Sequence, residues 1–470
     1  MPAKELRSIF SFVHISDLHF QSESVRAGTF RNSIQRKMQN LHINPDCLII
    51  SGDIFNKGFL TPNSADKTIQ FIENLKNPDT PCFAVPGNHD LDRFACQKSD
   101  DAYNFYLTRR EIVRKKANDL LNNPWEFSLE EAEKEVLYSK AFGDFFKFLS
   151  RAGFSPFGKN SQDSDKQLEC TASNYEVGVQ YVELPKLNSC VRIVLINTSL
   201  IAGQSVIGSE YHDFINGIKK GVFNELDLGH NEEASKQVDT FLRKQAQFRE
   251  AGELIIDEDP LPNQAGGRMS LSKEGLEALS NIGVGKDNHN CVLTIFVGHH
   301  EIDYLSNETK EALFTAMAHC NSYIYLCGHA HKAEHTIQVQ HGTQIVNQFR
   351  SGGLFLDKTK YGQCSFNHGS LLVRGTPDVL DRDQQSTTQT EFVLRISTYF
   401  QIETPSQKLV WYCEKYEETI RLNNVYDPHK ENASKELSSK GSSEPDSIKN
   451  TSARPAVTGN VFKKNQRSVV

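Results

Sequence analysis

Apolar runs alternate with helical patterns along most of the chain. Five runs rich in β-forming residues lie at 9–15, 47–50, 82–85, 291–297 and 323–327. Largely continuous apolar runs of this length are typical of strands that are buried on both faces. Between them, amphipathic patterns at 29–41, 64–75 and 308–320 predict helices. This alternation of strands and helices predicts a layered α/β fold.

A short polar motif follows directly on each of the five apolar runs. The motifs are Asp17-Leu18-His19, Gly52-Asp53, Gly87-Asn88-His89-Asp90, Gly298-His299-His300 and Gly328-His329-Ala330-His331. In open α/β sheets the ligand crevice lies beyond the carboxyl ends of the strands, where all five motifs are expected. The pattern therefore predicts that their side chains converge on one site.

The ligand types in these motifs indicate a metal site. Carboxylate, imidazole and carboxamide groups form a mixed oxygen and nitrogen set without thiolate, which suits Mn, Fe, Zn or Co better than Ca or Mg. Seven such ligands are too many for one ion, whereas two ions about 3.5–4 Å apart use them well and catalyse in-line displacement at phosphorus. The alternative is that these residues are turn formers and helix caps, because each motif taken alone is common. Their order and their strand-end positions favour hydrolysis of a phosphate ester.

Taken together, the five motifs resemble those of the calcineurin-like metallophosphoesterase superfamily, over about residues 9–375. The resemblance implies a four-layer α/β/β/α sandwich of two mixed sheets with a helical cap insertion. It also implies two divalent metal ions, of which we expect manganese before Fe, Zn or Co. The implied ligands are Asp17, His19 and His331 for one ion, Asn88, His299 and His329 for the other, and Asp53 as the bridge between them.

The same resemblance suggests roles for residues that do not bind metal. His89 matches the family's histidine that donates a proton to the leaving oxygen or steadies the developing charge. Asp90 either orients the His89 imidazole or caps the following segment. Arg93 either contacts the substrate phosphate or pairs with a neighbouring aspartate. Glu301 stands where the phosphodiesterase relatives usually have proline, so either His299 or His300 can be the ligand; we expect His299 to bind metal and His300 to contact substrate.

The second and third motifs favour phosphodiesters over phosphoproteins. Protein serine/threonine phosphatases of the superfamily carry GDxxDRG and GNHE, whereas this chain has GDIFNKG at 52–58 and GNHD at 87–90. GNHD with a double histidine resembles the branch of cyclic-nucleotide and glycerophosphodiester phosphodiesterases, and also DNA repair nucleases. The strand and turn at 191–199 resemble another segment of that branch. We therefore expect a phosphodiesterase that uses a metal-bridging hydroxide. A nuclease acting on DNA or RNA and a metal-binding scaffold without catalysis are the alternatives.

The net charge and the composition of the chain limit which classes of substrate and partner we expect. The chain has a formal net charge of -7, so nucleic acid is a possible but not a favoured partner, and a phosphate ester, potentially a nucleotide, is the expected substrate. The basic stretch at 109–116 either follows a charged substrate or is a solvated helix face. The start of the chain predicts neither a signal peptide nor a membrane anchor. Ten cysteines without CxxC spacing predict buried thiols in the reducing cytoplasm. No feature identifies a protein partner.

The predicted domain organisation has three parts. Residues 1–375 form the catalytic domain, interrupted by a helical cap at about 95–185 and a loop insertion at about 251–290. Residues 376–426 form an accessory β-rich segment. From 427 to 470 the composition is polar and poor in apolar residues, which predicts a disordered tail.

Overall fold

The computed structural model describes a large part of the chain. The described residues are 6–20, 25–55, 62–91, 138, 142–155, 175–200, 269–284, 290–330, 334–342, 344–353, 364–374, 391–403, 409–420 and 468–469. The basic stretch at 109–116, nearly all of the tail, and most of the predicted cap and loop insertions lie outside these residues.

The first sheet has seven strands. In chain order they are β1 (Leu6–Ile15), β2 (Cys47–Ile50), β3 (Cys82–Ala84), β10 (Ser365–Arg374), β11 (Glu391–Glu403), β12 (Leu409–Ile420) and β13 (Ser468–Val469). Their spatial order is β13-β12-β11-β10-β1-β2-β3. Strands β1, β2 and β3 are parallel, and the other pairs are antiparallel. The carboxyl ends of β1, β2 and β3 therefore lie at the same edge.

The second sheet has six strands. They are β4 (Val177–Leu184), β5 (Ser189–Ile196), β6 (Cys291–Val297), β7 (Ile324–Cys327), β8 (Glu334–His341) and β9 (Gln344–Arg350), in the spatial order β4-β5-β6-β7-β9-β8. Strands β5, β6, β7 and β9 are parallel to one another, and the edge strands β4 and β8 are antiparallel to β5 and β9. This sheet delivers the fourth and fifth motifs at the ends of β6 and β7.

Helices cover the outer faces of both sheets. They are α1 (Val25–Asn40), α2 (Pro62–Glu73), α3 (Gly143–Arg151), α4 (Lys273–Ser280) and α5 (Asn307–His319). Ser306 is the N-cap of helix α5, and its hydroxyl accepts a hydrogen bond from the Thr309 amide at 3.2 Å.

Three apolar clusters hold the layers together. One lies between the sheets and includes Phe12, Phe83 and Ile295. The second packs α1, α2 and α3 on the first sheet, and the third packs α4 and α5 on the second sheet. The predicted four-layer α/β/β/α arrangement with two mixed sheets is confirmed.

The predicted accessory segment joins the first sheet. Strand β11 is antiparallel to β10 over ten residue pairs from Ser365–Phe400 to Arg374–Glu391, and β12 pairs with β11 in turn. The hydrogen-bonded ladder between these two strands continues through polar pairs such as Arg395–Glu417. The division of the chain at residue 375 stays a prediction. Among the described helices, none is long and apolar enough to cross a bilayer.

Candidate metal centre

The backbone at the predicted site adopts an unusual conformation. Asp17, His19, Asp53 and His329 all have left-handed φ angles, of 55°, 41°, 54° and 70°. L-amino acids other than glycine rarely adopt this conformation, and such residues cluster at functional sites, where the surrounding structure holds them. Four of the predicted metal ligands thus have this uncommon backbone conformation, each a few residues after the end of a strand.

Glycines let these turns pass close to each other. A Cβ atom on Gly328 would lie 1.8 Å from Ser16 Oγ and 2.5 Å from Asp17 Oδ2. The next residue, His329, donates its backbone amide to the same Asp17 oxygen at 3.1 Å. The turn after β7 is therefore fixed against the turn after β1, which brings together residues 312 positions apart in the chain.

Asp53 lies at the centre of the predicted ligand set. Its Oδ2 atom is 3.7 Å from His19 Nε2 and 3.5 Å from His299 Nε2. Its Oδ1 atom accepts the His89 backbone amide at 2.8 Å. His19 Nε2 also lies 4.0 Å from Asp17 Oδ1. The structure thus brings Asp17, His19, Asp53 and His299 together around one carboxylate, in the position expected for a bridging ligand.

Hydrogen bonds fix the proton on the His299 ring. His299 Nδ1 is 2.7 Å from the Ser51 carbonyl oxygen, which can only accept, so Nδ1 carries the proton. In the neutral ring the lone pair then lies on Nε2. That atom is 2.9 Å from Asn88 Oδ1 and 3.5 Å from Asp53 Oδ2.

Three lone-pair donors therefore face one another in a buried space. Such an arrangement is favourable when the three atoms share a cation. Two ligand atoms bound to one ion at about 2.1 Å and at right angles are about 3 Å apart, close to the separation of His299 Nε2 and Asn88 Oδ1. These residues fit a divalent metal ion on geometric and chemical grounds.

The hydrogen bonds of the neighbouring His300 place the proton of its neutral ring on the other nitrogen. The Thr198 hydroxyl accepts the backbone amides of His299 and His300, each at 3.0 Å, and lies 3.1 Å from His300 Nδ1. Because both lone pairs of the hydroxyl are used, its proton points to His300 Nδ1, and the neutral ring carries its proton on Nε2. Ligand atoms of His299, His300 and His329 still lie within 4.8 Å of one another. The hydrogen bonds favour His299 as a ligand and His300 as a donor beside it.

His89 and Asp90 lie beside the carboxylate centre. The partly exposed His89 ring is edge-on to the His19 ring, with centroids 5.0 Å apart. Asp90 is buried, and its two carboxylate oxygens accept the backbone amides of Phe55 and Gly87, both at 2.8 Å. Burial raises the pKa of Asp90 to about 7, against the opposing effect of these amide bonds. Asp90 thereby ties the loop after β2 to the loop after β3, and its orientation of His89 stays a prediction.

Two predicted site residues, His331 and Arg93, lie outside the described residues. Their metal and substrate contacts stay predictions. Ser51, whose carbonyl oxygen orients His299, was not among the predicted site residues. The signal was present, because Ser51 directly precedes the Gly52-Asp53 motif at the end of a buried strand.

The fold and the facing acceptor groups define a class of protein: an α/β sandwich with a candidate metal centre at its strand ends. Residues 10–170 match the family model described as calcineurin-like phosphoesterase. This match agrees with the resemblance that the motifs predicted. The fourth and fifth motifs lie outside the matched range, so their place at the site depends on the contacts given above.

Three proteins are similar to parts of this chain. A probable cyclic nucleotide phosphodiesterase from Moraxella catarrhalis is 29% identical over 91 residues, which cover 19% of this chain and 31% of that protein. The DNA double-strand break repair protein Mre11 from Archaeoglobus fulgidus is 29% identical over 84 residues, which cover 17% of this chain and 19% of that protein. A crystal structure of a dimetal phosphatase from Danio rerio is 13% identical, covers 78% of this chain and 95% of its own, and has a TM-score of 0.35. The chain thus spans less than a third of the length of the first two relatives.

Proposed function

We propose that this chain is a dinuclear-metal phosphoesterase that hydrolyses phosphodiesters. The observation that supports the proposal most directly is the meeting of His299 Nε2 with two oxygen atoms, Asn88 Oδ1 at 2.9 Å and Asp53 Oδ2 at 3.5 Å. With Asp17, His19, His329 and His331, they form the proposed ligand set for two divalent ions, for which manganese is our first candidate. When bound, such a pair activates water and offsets negative charge in an in-line displacement at phosphorus.

The protein's own residues supply position and protons. The Ser51 carbonyl keeps the His299 proton on Nδ1, so that Nε2 can act as a ligand. The His89 amide fixes one oxygen of Asp53, which leaves the other oxygen directed at His19 and His299. The His89 ring, partly exposed beside His19, is suited to donate a proton to the leaving oxygen. His300, with its proton on Nε2, is suited to donate a hydrogen bond to a phosphate oxygen, a role in which we also place Arg93.

The choice of phosphodiesters rests on the sequence motifs. GNHD with a double histidine resembles phosphodiesterases, and the similarity to a probable cyclic nucleotide phosphodiesterase points the same way. The similarity to Mre11 favours one second candidate, hydrolysis of nucleic acid. We also propose a reducing compartment such as the cytoplasm, because Cys47 and Cys82 are buried as small apolar residues and burial raises the pKa of both thiols.

Hydrolysis assays with model esters test the proposal. The purified full chain, loaded with manganese, is compared on bis(p-nitrophenyl) phosphate and p-nitrophenyl phosphate. We expect turnover of the diester to exceed that of the monoester, and to be lost in Asp53→Asn and reduced about 100-fold or more in His89→Ala. His319→Ala, an exposed histidine on α5, is the matched control and is expected to keep full activity.

A second set of substrates separates the two candidates. Cyclic nucleotides, single-stranded DNA and double-stranded DNA are offered under the same conditions. Turnover of cyclic nucleotides alone supports the phosphodiesterase, and turnover of DNA alone supports a nuclease. A chain that binds two ions and hydrolyses none of these esters contradicts the enzymatic proposal and leaves the metal-binding scaffold.

A further inference from the structure

A line of polar side chains crosses the buried face of the first sheet. His14 on β1 pairs with Asn367 on β10, and Asn367 pairs with Thr398 on β11. All three side chains are fully buried. His14 points to the same side of β1 as Phe10 and Phe12, which pack in the core between the sheets. The line therefore lies in an environment that is otherwise apolar.

The hydrogen bonds along this line have a defined direction. The Thr398 hydroxyl donates to Asn367 Oδ1 at 2.7 Å, and Asn367 Nδ2 donates to His14 Nδ1 at 2.9 Å. His14 Nδ1 is thus an acceptor, and the proton of the neutral ring lies on Nε2, which donates to the Ser51 hydroxyl at 2.8 Å. Burial lowers the pKa of His14 to about 3, so the ring is neutral near pH 7.

The line ends at the residue that orients His299. The Ser51 side chain is held by His14, and its carbonyl oxygen accepts from His299 Nδ1 at 2.7 Å and from the Ser16 hydroxyl at 3.0 Å. Ser51 is followed by Gly52 and Asp53, both with left-handed backbone. The position of the Ser51 peptide therefore affects His299 through its carbonyl and Asp53 through the chain.

Stability alone gives little reason for such a line. Burying polar groups costs free energy that their hydrogen bonds only offset, and apolar residues of similar volume serve a core at least as well. What the line adds is a fixed position, because each of its members has one defined donor or acceptor role.

We propose that His14, Asn367 and Thr398 are positioning residues for the metal ligand His299, which they hold through Ser51. The inference rests on the proposed function, since it takes His299 to bind metal. Hydrogen-bond partners of metal-binding histidines generally change metal affinity by 10- to 100-fold when they are replaced. The new element here is that the supporting groups extend across three strands, to a threonine on β11.

Metal-binding measurements on the full chain test this inference. Manganese binding is measured by competition with a chelator in the parent, in His14→Phe and in Thr398→Val. We expect affinity for one of the two ions to fall on the order of 100-fold in His14→Phe and on the order of 10-fold in Thr398→Val, with the other ion less affected. Thr294→Val removes a buried strand hydroxyl from the second sheet and is the matched control, expected to bind both ions as the parent does.

The outcomes separate the inference from the proposed function. Parent-like affinity for both ions in Thr398→Val overturns the inference. The inference is also overturned if the affinity for both ions falls equally and in proportion to the fall in thermal stability. If His14→Phe does not fold, Thr398→Val, which removes a single hydroxyl, decides the matter. A parent chain that binds no divalent ion overturns the proposed function itself, and the inference with it.

A measurement without metal gives a second test. In the metal-free parent, ¹⁵N NMR of the histidine rings is expected to show His299 protonated on Nδ1. In Thr398→Val we expect this signal to weaken or broaden as the Ser51 peptide loses its fixed position. An unchanged His299 signal in Thr398→Val contradicts the inference whether or not the chain has phosphodiesterase activity.

Discussion

Replacing Gly87 with alanine places a methyl group where Asp53 already lies. The new Cβ atom would be 2.0 Å from Asp53 Oδ1 and 2.3 Å from the Asp53 backbone nitrogen, whereas real Cβ contacts begin near 3.0 Å. Asp53 must therefore move by about 1 Å, and strain of this kind in a packed interior costs about 1–3 kcal/mol. Because a misplacement of about 1 Å at a reacting centre can lower a rate about 100-fold, we expect a loss of function beyond the loss of stability.

Unfolding and metal-binding assays check this prediction together. We expect Gly87→Ala to lower the unfolding midpoint of the metal-free protein by several degrees and to weaken manganese binding at least about tenfold. Gly143→Ala is the matched control: Gly143 lies in helix α3, a Cβ there meets none of the described residues outside its own helix backbone and chain neighbours within 4 Å, and alanine is the better helix former. A Gly87→Ala protein that keeps the parent's midpoint and metal affinity would refute the claim that Asp53 is held by close packing.

Three further substitutions address the groups around the centre. Thr198→Val leaves the backbone amides of His299 and His300 without their shared acceptor, and we expect it to lower the free energy of unfolding, measured in urea, by about 1–3 kcal/mol. Thr198→Ser keeps the hydroxyl and is expected to lower this free energy by less. The pKa of His14 is lowered to about 3 in the folded protein, whereas in the unfolded chain His14 binds a proton below about pH 6.5. The free energy of unfolding therefore decreases as the pH falls from 6 to 4. In His14→Gln we expect the slope of unfolding free energy against pH to be smaller by about 1.4 kcal/mol per pH unit over this range. Phe148→Ala removes a buried ring packed 4.9 Å from Phe55, just after Asp53, and should lower the free energy of unfolding by about 3–5 kcal/mol, whereas an equal stability would contradict its place in the core.

The strands could be predicted from the sequence because their signals are local, whereas the four-layer order was implied by the resemblance to the metallophosphoesterase superfamily. Continuous apolar runs at 47–50 and 291–297 match β2 and β6, and the amphipathic pattern at 308–320 falls within one residue of α5. Each apolar run is typical of a buried strand. The polar residues that follow it lie beyond the carboxyl end of the strand, which is where the ligand crevice of an α/β sheet is found.

The supporting network could not be predicted because its partners are distant in the chain. His14 and Asn367 are 353 residues apart, and His299 and Ser51 are 248 apart. A histidine within an apolar run has no sequence signal that separates a buried, hydrogen-bonded ring from an exposed one. The left-handed backbone conformation could not be predicted either, because aspartate and histidine give little indication of it. It occurs at Asp17, His19, Asp53 and His329.

The choice between His299 and His300 shows where structure adds to sequence. The two residues are adjacent and identical in type, so the motif alone leaves both open. Their hydrogen bonds differ: a carbonyl oxygen holds the proton of His299 on Nδ1, whereas a hydroxyl directs its own proton at Nδ1 of His300. The lone pair of the neutral His299 ring therefore lies on Nε2, which faces Asn88 and Asp53, whereas Nε2 of the neutral His300 ring carries the proton.

Anomalous X-ray diffraction from crystals soaked in manganese tests the central claim most directly. The proposal predicts two peaks about 3.5–4 Å apart, one in contact with His299 Nε2 and Asn88 Oδ1, the other with Asp17 and His19, and Asp53 touching both. A single peak, a peak bound by His300 in place of His299, or no peak at this strand-end crevice would contradict it.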